Sequence, residues 1–506
     1  MKPSHDLFDL VKSLSRSEKR YVSLFLSTSF HGSNKNSLRL FRGVAKQEEY
    51  DEPALKRQLG KTFSTRFSAE KNKLFELILE SMLLYYRDRT EEKKVNTLRY
   101  HAGFLFSKSL RSAGWRYLEK AKALSETHES FANSIQLAYR ENLEIRKSGP
   151  GERKFDPGKF HAHNRLLVES LGEDIELYSL YTEMGQIEKQ YGSAPPSKKP
   201  NAELERILHH PLMQPGRKLH AFSSNLSRLE IRAMYSRITG NDQETFECCN
   251  EQVRLFEASP AKIAFGYGRY SDALLNRLQA VTVLRQHDLF DRLLPQTRKA
   301  LDGIRKYLGY HIDFVQFYGP DSLELTELTN RADNKRGNNF LSQFEKRFRL
   351  YRPNMRAEET VAILFLMGTY HFYLGNLKKA LAFYNDLTDS SSSDTAQNYQ
   401  CMVRLVKLLL HFDLGHTDLL PSLAASTTRL LKKHGRLGDY EKELIRFFSR
   451  EPERGDRASL KMLQSGLLKQ NPGLHNYGLG CEFDIRAWVE SQLENKPLCE
   501  TVQKYC

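Results

Sequence analysis

Cysteine is scarce: six in 506 residues, at 248, 249, 401, 481, 499 and 506, and no two have the C-x-x-C spacing of a zinc ribbon or a thioredoxin-like site. That distribution fits a reducing compartment. No window is apolar for the length of a membrane span, and MKPSHDLFDLVKSLS carries charges inside what would be the core of a signal peptide. A cytoplasmic protein with no membrane partner is expected. Proline numbers only 17, well under the roughly 5% average, and alternating strand-like runs are hard to find.

Catalytic signatures are missing as well. No H-E-x-x-H or G-x-S-x-G occurs. Gly60, Lys61 and Thr62 end like a phosphate loop, but Leu55 stands where its first glycine is needed. Gly266 and Gly268 form a lone G-x-G without a preceding strand. His161 with His163, and His209 with His210, are too close in sequence to share one helical face as metal ligands. The expectation is a non-enzyme with no cofactor and no metal.

What is present suffices for an ordered fold: 40% hydrophobic residues, 11% aromatics and 27% charge. The length favours several domains or an array of repeats. Basic residues outnumber acidic ones 77 to 62, a net charge of +15 that permits polyanionic or acidic partners and equally describes a lysine-rich helical surface. Helix signals are plentiful. Ser15 and Glu18 form a capping box ahead of Tyr21, Leu24 and Phe25 on one face. Asp51 and Pro53 open a helix that Gly60 closes. Leu74, Leu77, Ile78, Met82 and Tyr85 recur at helical spacing.

These signals divide the chain into a helical module at 1–90, helical hairpins at 91–200 with one hairpin broken at Gly114, helical repeats at 201–450 and terminal helices at 451–506. Glycine- and proline-rich stretches at 148–160 and 193–201 mark linkers. In the repeat region, punctuation falls at Gly240, near His287, near Gly337, at Gly375 and at Gly415, intervals of 47, 50, 38 and 40 residues. Such a period, one helical pair each, is the mark of an α-solenoid, because a lone pair cannot bury its apolar face. The expected fold class is all-α, an α-solenoid of antiparallel hairpins.

The clearest unit, VAILFLMGTYHFYLGNLKKALAFYNDL from Val361 to Leu387, resembles a tetratricopeptide repeat. Leu364, Met367 and Gly368 take the first-helix places, Gly375 the turn, and Ala380 and Tyr384 the second-helix places. Missing bulk at Gly368 and Ala380 allows close helix approach, and Gly375 can adopt the left-handed turn. His371 stands where the family has tyrosine. Near Gly240 the same register puts Ala233, Thr245 and Cys249 at packing positions. The chain as a whole is similar to degenerate tetratricopeptide-like proteins of the bacterial cytosol without an assigned function.

The resemblance implies a scaffold that binds a protein or peptide in its groove, with Phe365, Thr369 and Phe372 facing the ligand or, alternatively, packing between repeats. A second reading is a regulator whose first 90 residues bind DNA by a helix-turn-helix, with the repeats as sensor. KRFRLYRP, from Lys346 to Pro353, mixes cations and rings suited to nucleic acid. The favoured reading of that stretch is an amphipathic helix end, where cations stabilise the carboxyl terminus. Trp488, with Phe483, Ile485 and Val489, is expected to help a terminal helix cover the stack.

Overall fold

The computed structural model describes residues 5–28, 34–60, 63, 65–87, 91–149, 155–191, 202–308, 312–389, 394–450, 457–469 and 483–504. Among them every regular element is helical, as the composition led one to expect. The stretch at 193–201, Lys61, Thr62, Cys481 and Cys506 lie outside the described residues. Two compact units form, Met1–Asn164 and Arg165–Cys506. The division falls inside a single helix.

In the first unit, α1 (Asp6–Ser13), α2 (Arg16–Thr28), α3 (Asn34–Lys46), α4 (Glu52–Leu59) and α5 (Phe67–Tyr86) surround Val11, Val22, Leu40, Val44, Leu74 and Ile78. The capping box forms: the Ser15 amide donates to Glu18 Oε2 at 2.6 Å, and the Glu18 amide to Ser15 Oγ at 3.3 Å. Asp51 Oδ1 accepts from the Ala54 amide at 2.8 Å. On α2 the fully buried residues are Val22 and Leu26, Phe25 packs against the same core, Tyr21 meets the Tyr85 ring, and only Leu24 of the expected face is exposed. Tertiary contact turns the packed stripe slightly, because the helix has apolar residues on several sides.

Residues 91–147 form three helices rather than one hairpin: α6 (Glu91–Ser107), α7 (Arg111–Thr127) and α8 (Phe131–Arg146). Gly114 is no break. It lies inside α7, where a Cβ would stand 2.8 Å from the Phe106 ring. The real turns are at Ser109 and Glu129, both at positive φ.

The second unit begins within α9 (Pro157–Tyr191) and continues as α10 (Ala202–Leu208), α11 (Phe222–Thr239), α12 (Asp242–Glu257), α13 (Tyr267–Val283) and α14 (His287–Gly303). A short π-helical turn at 317–321 leads into α15 (Ser322–Asn330) and α16 (Asn334–Tyr351). Then come α17 (Ala357–Tyr373), α18 (Leu377–Asp389), α19 (Asp394–Asp413), α20 (Leu420–Lys433), α21 (Asp439–Phe448), α22 (Arg457–Leu468), α23 (Ile485–Glu494) and α24 (Leu498–Gln503). From α11 to α14, between α15 and α16, and from α17 onward, helices adjacent in sequence pack on each other, and α13 meets α15, α15 meets α17, and α17 meets α19.

One turn recurs. Gly240, Arg285, Ala332, Gly375 and Gly415 all take positive φ, from 46° to 78°, at spacings of 45, 47, 43 and 40 residues. In each, the following amide bonds back to a carbonyl five residues earlier: Asn241 to Ser236 (2.8 Å), Gln286 to Val281 (3.2 Å), Asp333 to Leu328 (3.0 Å), Asn376 to His371 and His416 to His411 (both 2.9 Å). This Schellman closure satisfies carbonyls the helix end leaves open. Where the residue is Arg285 or Ala332, the left-handed conformation costs roughly 1–2 kcal/mol more than with glycine. Gly337 therefore marks no turn. It sits inside α16, where a Cβ would overlap the Tyr370 hydroxyl, which donates to Asp333 O at 2.6 Å.

Candidate functional site

The residues expected to face a ligand on the Val361–Leu387 unit do not. Phe365, Thr369 and Phe372 are 1%, 0% and 2% exposed. Phe365 packs on Tyr384 and Tyr399, Thr369 Oγ1 lies 3.1 Å from Tyr384 Oη, and Phe372 meets the Phe483 ring at 4.9 Å. The reason is that α17 is apolar on every side, and the chain's own residues cover it, Phe483 among them. The Asp484 amide donates to Tyr373 Oη at 2.8 Å over the same helix end. Leu364, Met367, Ala380 and Tyr384 are fully buried, Gly375 has φ 74°, and a Cβ on Gly368 would stand 2.5 Å from the Tyr384 ring.

An open concavity of about 560 Å³ lies elsewhere in the second unit. Its walls are Tyr178, Tyr181 and Glu188 of α9, Ser227, Glu230 and Arg237 of α11, Arg269, Asp272, Asn276 and Gln279 of α13, and Tyr318, Gly319 and Leu323 at the entry to α15. Apart from Gln252 of α12, every wall comes from α9 or from the first member of the pairs α11/α12, α13/α14 and α15/α16, the π turn included. α9 buries Leu177, Leu180, Met184 and Ile187 on one face and exposes Ile175, Tyr178 and Tyr181 on another. The two tyrosines stack, with ring centroids 6.2 Å apart.

Two ion pairs line the floor. Arg237 Nε donates to Glu188 Oε1 at 2.8 Å, and Arg269 donates to both Glu230 oxygens at 3.0 and 2.7 Å and to Ser227 Oγ at 2.9 Å. Bidentate geometry of this kind fixes the guanidinium and occupies it. Asp272 is different. It reaches solvent, yet desolvation within the concavity raises its carboxyl above the ordinary range, and Glu230 adds to this while Arg269 opposes it. Among the described residues Asp272 has no hydrogen-bond partner. Desolvation likewise raises the Tyr181 hydroxyl. The arrangement leaves an unmatched carboxylate beside two exposed rings and two amides, Asn276 and Gln279. Such a set suits a cationic or amide-bearing ligand group.

The remaining sequence candidates resolve as packing residues or as surface ion pairs. Cys249 is fully buried, and burial pushes its thiol and that of Cys248 up to about 11, so neither is a nucleophile at neutral pH. His210 Nε2 lies 3.0 Å from Glu176, and His163 Nε2 3.6 Å from Glu126. Among the described residues no three metal-binding side chains converge. In KRFRLYRP, Arg347 pairs with Asp321, Arg349 with Glu345 at 3.8 Å and Arg352 with both Asp386 oxygens at 2.6 and 2.5 Å, while Phe348 is buried. Trp488 is buried against Phe412 and Phe448, its indole donating to Asp413. No described helix is long and apolar enough to cross a membrane.

The wall residues Tyr178, Tyr181 and Asp272 were not singled out in sequence. The available signal was the second apolar stripe on α9, at 175, 178 and 181, opposite the one that packs. Comparison with family models, curated proteins and solved structures yields no match for this chain, so the concavity is characterised by its own chemistry alone.

Proposed function

We propose that the chain is a non-enzymatic interaction scaffold, a tetratricopeptide-like stack of helical hairpins that binds a peptide or helix. The observation that carries this reading is the 560 Å³ concavity walled by the first helices of three successive pairs. Support also comes from the recurrent left-handed turn at Gly240, Arg285, Ala332, Gly375 and Gly415, whose spacing is that of stacked pairs. The ligand-facing residues are Tyr178, Tyr181 and Asp272, in place of Phe365, Thr369 and Phe372. The charge left over at Asp272 favours a ligand segment with a lysine or arginine next to an apolar residue.

The test is selection of a random peptide library on the full-length protein. Enrichment of basic–apolar segments is expected, and Asp272→Asn or the Tyr178→Ala/Tyr181→Ala pair should reduce their binding at least tenfold. Equal binding by these variants, or no enrichment at all, would reject the groove as the site. Membrane contact and catalysis play no part in this reading.

A further inference from the structure

The net charge is not evenly spread. The first unit holds 31 lysines and arginines against 20 acids, a net +11 in 164 residues, and the second holds 46 against 42. Within the first unit, α6 and α8 meet where Arg140 Nη2 donates to Gly103 O at 3.1 Å. The neighbours of those two residues are exposed rings: Phe104 is 63% exposed and Tyr139 76%. Tyr100, one turn before Phe104, is 69% exposed, and Leu143 follows Tyr139 by one turn. A seam between two helices is thus bordered by three exposed aromatic side chains.

Cations stand on these rings. The Arg99 guanidinium carbon lies 4.9 Å from the Tyr100 centroid, and Lys108 Nζ 5.8 Å from that of Phe104. Neither Arg99 nor Lys108 forms an ion pair among the described residues. KRFRLYRP has the same composition and the opposite fate, since its three arginines are matched to acids and Phe348 is interior. An exposed ring with an unmatched cation offers a base-stacking platform and a phosphate contact together.

We infer that the α6/α8 face, through Tyr100, Phe104 and Tyr139 with Arg99 and Lys108, binds single-stranded nucleic acid without sequence preference. Unpaired bases supply the π faces, and a duplex hides them; an acidic protein would match the charge but would not offer the successive flat faces that three exposed rings can stack on. This is independent of the groove proposed above and of any helix-turn-helix within the first 90 residues.

The test is fluorescence anisotropy of the full-length protein with fluorescein-labelled oligouridine and oligodeoxythymidine of about 20 nucleotides, longer than a typical site of 4–16. Binding to either is expected, with preference between them reporting the sugar. Tyr100→Ala and Tyr139→Ala should each weaken it about 5- to 100-fold, with helical content unchanged by circular dichroism because both side chains are exposed. An abasic strand of equal length should bind the wild type as weakly as the intact strand binds those variants. Arg99→Gln and Lys108→Gln should each reduce the slope of log affinity against log salt by about 0.7. Asp272→Asn should leave oligonucleotide binding unchanged. The inference is overturned by no binding at low salt, by equal affinity for duplex or abasic strand, or by tyrosine variants that bind like the wild type.

Discussion

The pair α17/α18 and the pairs α11/α12 and α13/α14 belong to the same unit and share the same turn, yet they meet their surroundings in opposite ways. The first helix of α17/α18 is buried from Glu359 to Tyr373. The first helices α11 and α13 wall an open concavity with Arg237, Arg269 and Asp272. The pair with the strongest repeat motif is therefore the one whose first helix has no free face. Motif strength along this chain reports how closely two helices pack, since the motif is made of small residues opposite large rings. The walls of the concavity are instead polar and aromatic residues that packing leaves exposed.

The contrast predicts unequal tolerance of added bulk. Gly337→Ala and Gly368→Leu, which drive a side chain into Tyr370 and Tyr384, should each destabilise the second unit by about 3 kcal/mol in urea unfolding. Melting unchanged by either would break the comparison at its closed end. A pH titration acts next. Burial, then His416 and Lys407, lower His411 to about 4 from 6.5. The unfolded chain takes up this proton first, so stability is full above the unfolded value and declines as pH falls from about 6.5 to 4. Discounted for its partial exposure to solvent, about 2 kcal/mol or less should be lost there, and His411→Gln should flatten that part of the curve.

At the open end, Gly172 and Gly185 of α9 have nothing within reach of an added Cβ. Alanine at either should stabilise by up to about 1 kcal/mol through helix propensity, and a loss of stability instead would mean that α9 is tightly covered. Asp272→Asn should give the smallest stability change, a gain below about 1 kcal/mol given its solvent exposure. Because its carboxyl is raised in the folded state, the charged form is penalised at neutral pH. The penalty disappears as pH falls through the raised value, so the gain should vanish in acid.

Much of the local structure was legible. The capping box at Ser15 and Glu18, the Asp51 cap and the glycine turns at 240, 375 and 415 follow from chemistry within a few residues. Glycine was too narrow a signal for the turn itself. Arg285 and Ala332 adopt the same conformation because the packed helices on either side hold them there, and no residue type announces that. Conversely Gly114 and Gly337 look like breaks and are contact points, each facing a ring from a different helix. The site was less legible still, since Phe365 and Phe372 have the composition of a recognition stripe and differ from Tyr178 and Tyr181 only in what covers them.

From its residues alone this chain is committed to helices, because apolar positions recur at helical spacing, turn and cap residues punctuate them, and strand patterns are missing. Exposure was left to the tertiary structure. Whether an aromatic is core or surface depends on partners remote in sequence: Phe483 closes over Phe372, while nothing among the described residues closes over Tyr139. The same holds for charge. Arg352 and Arg99 are alike as residues, and only the placement of Asp386 some 34 positions from Arg352 neutralises one, while the other has no ion pair among the described residues.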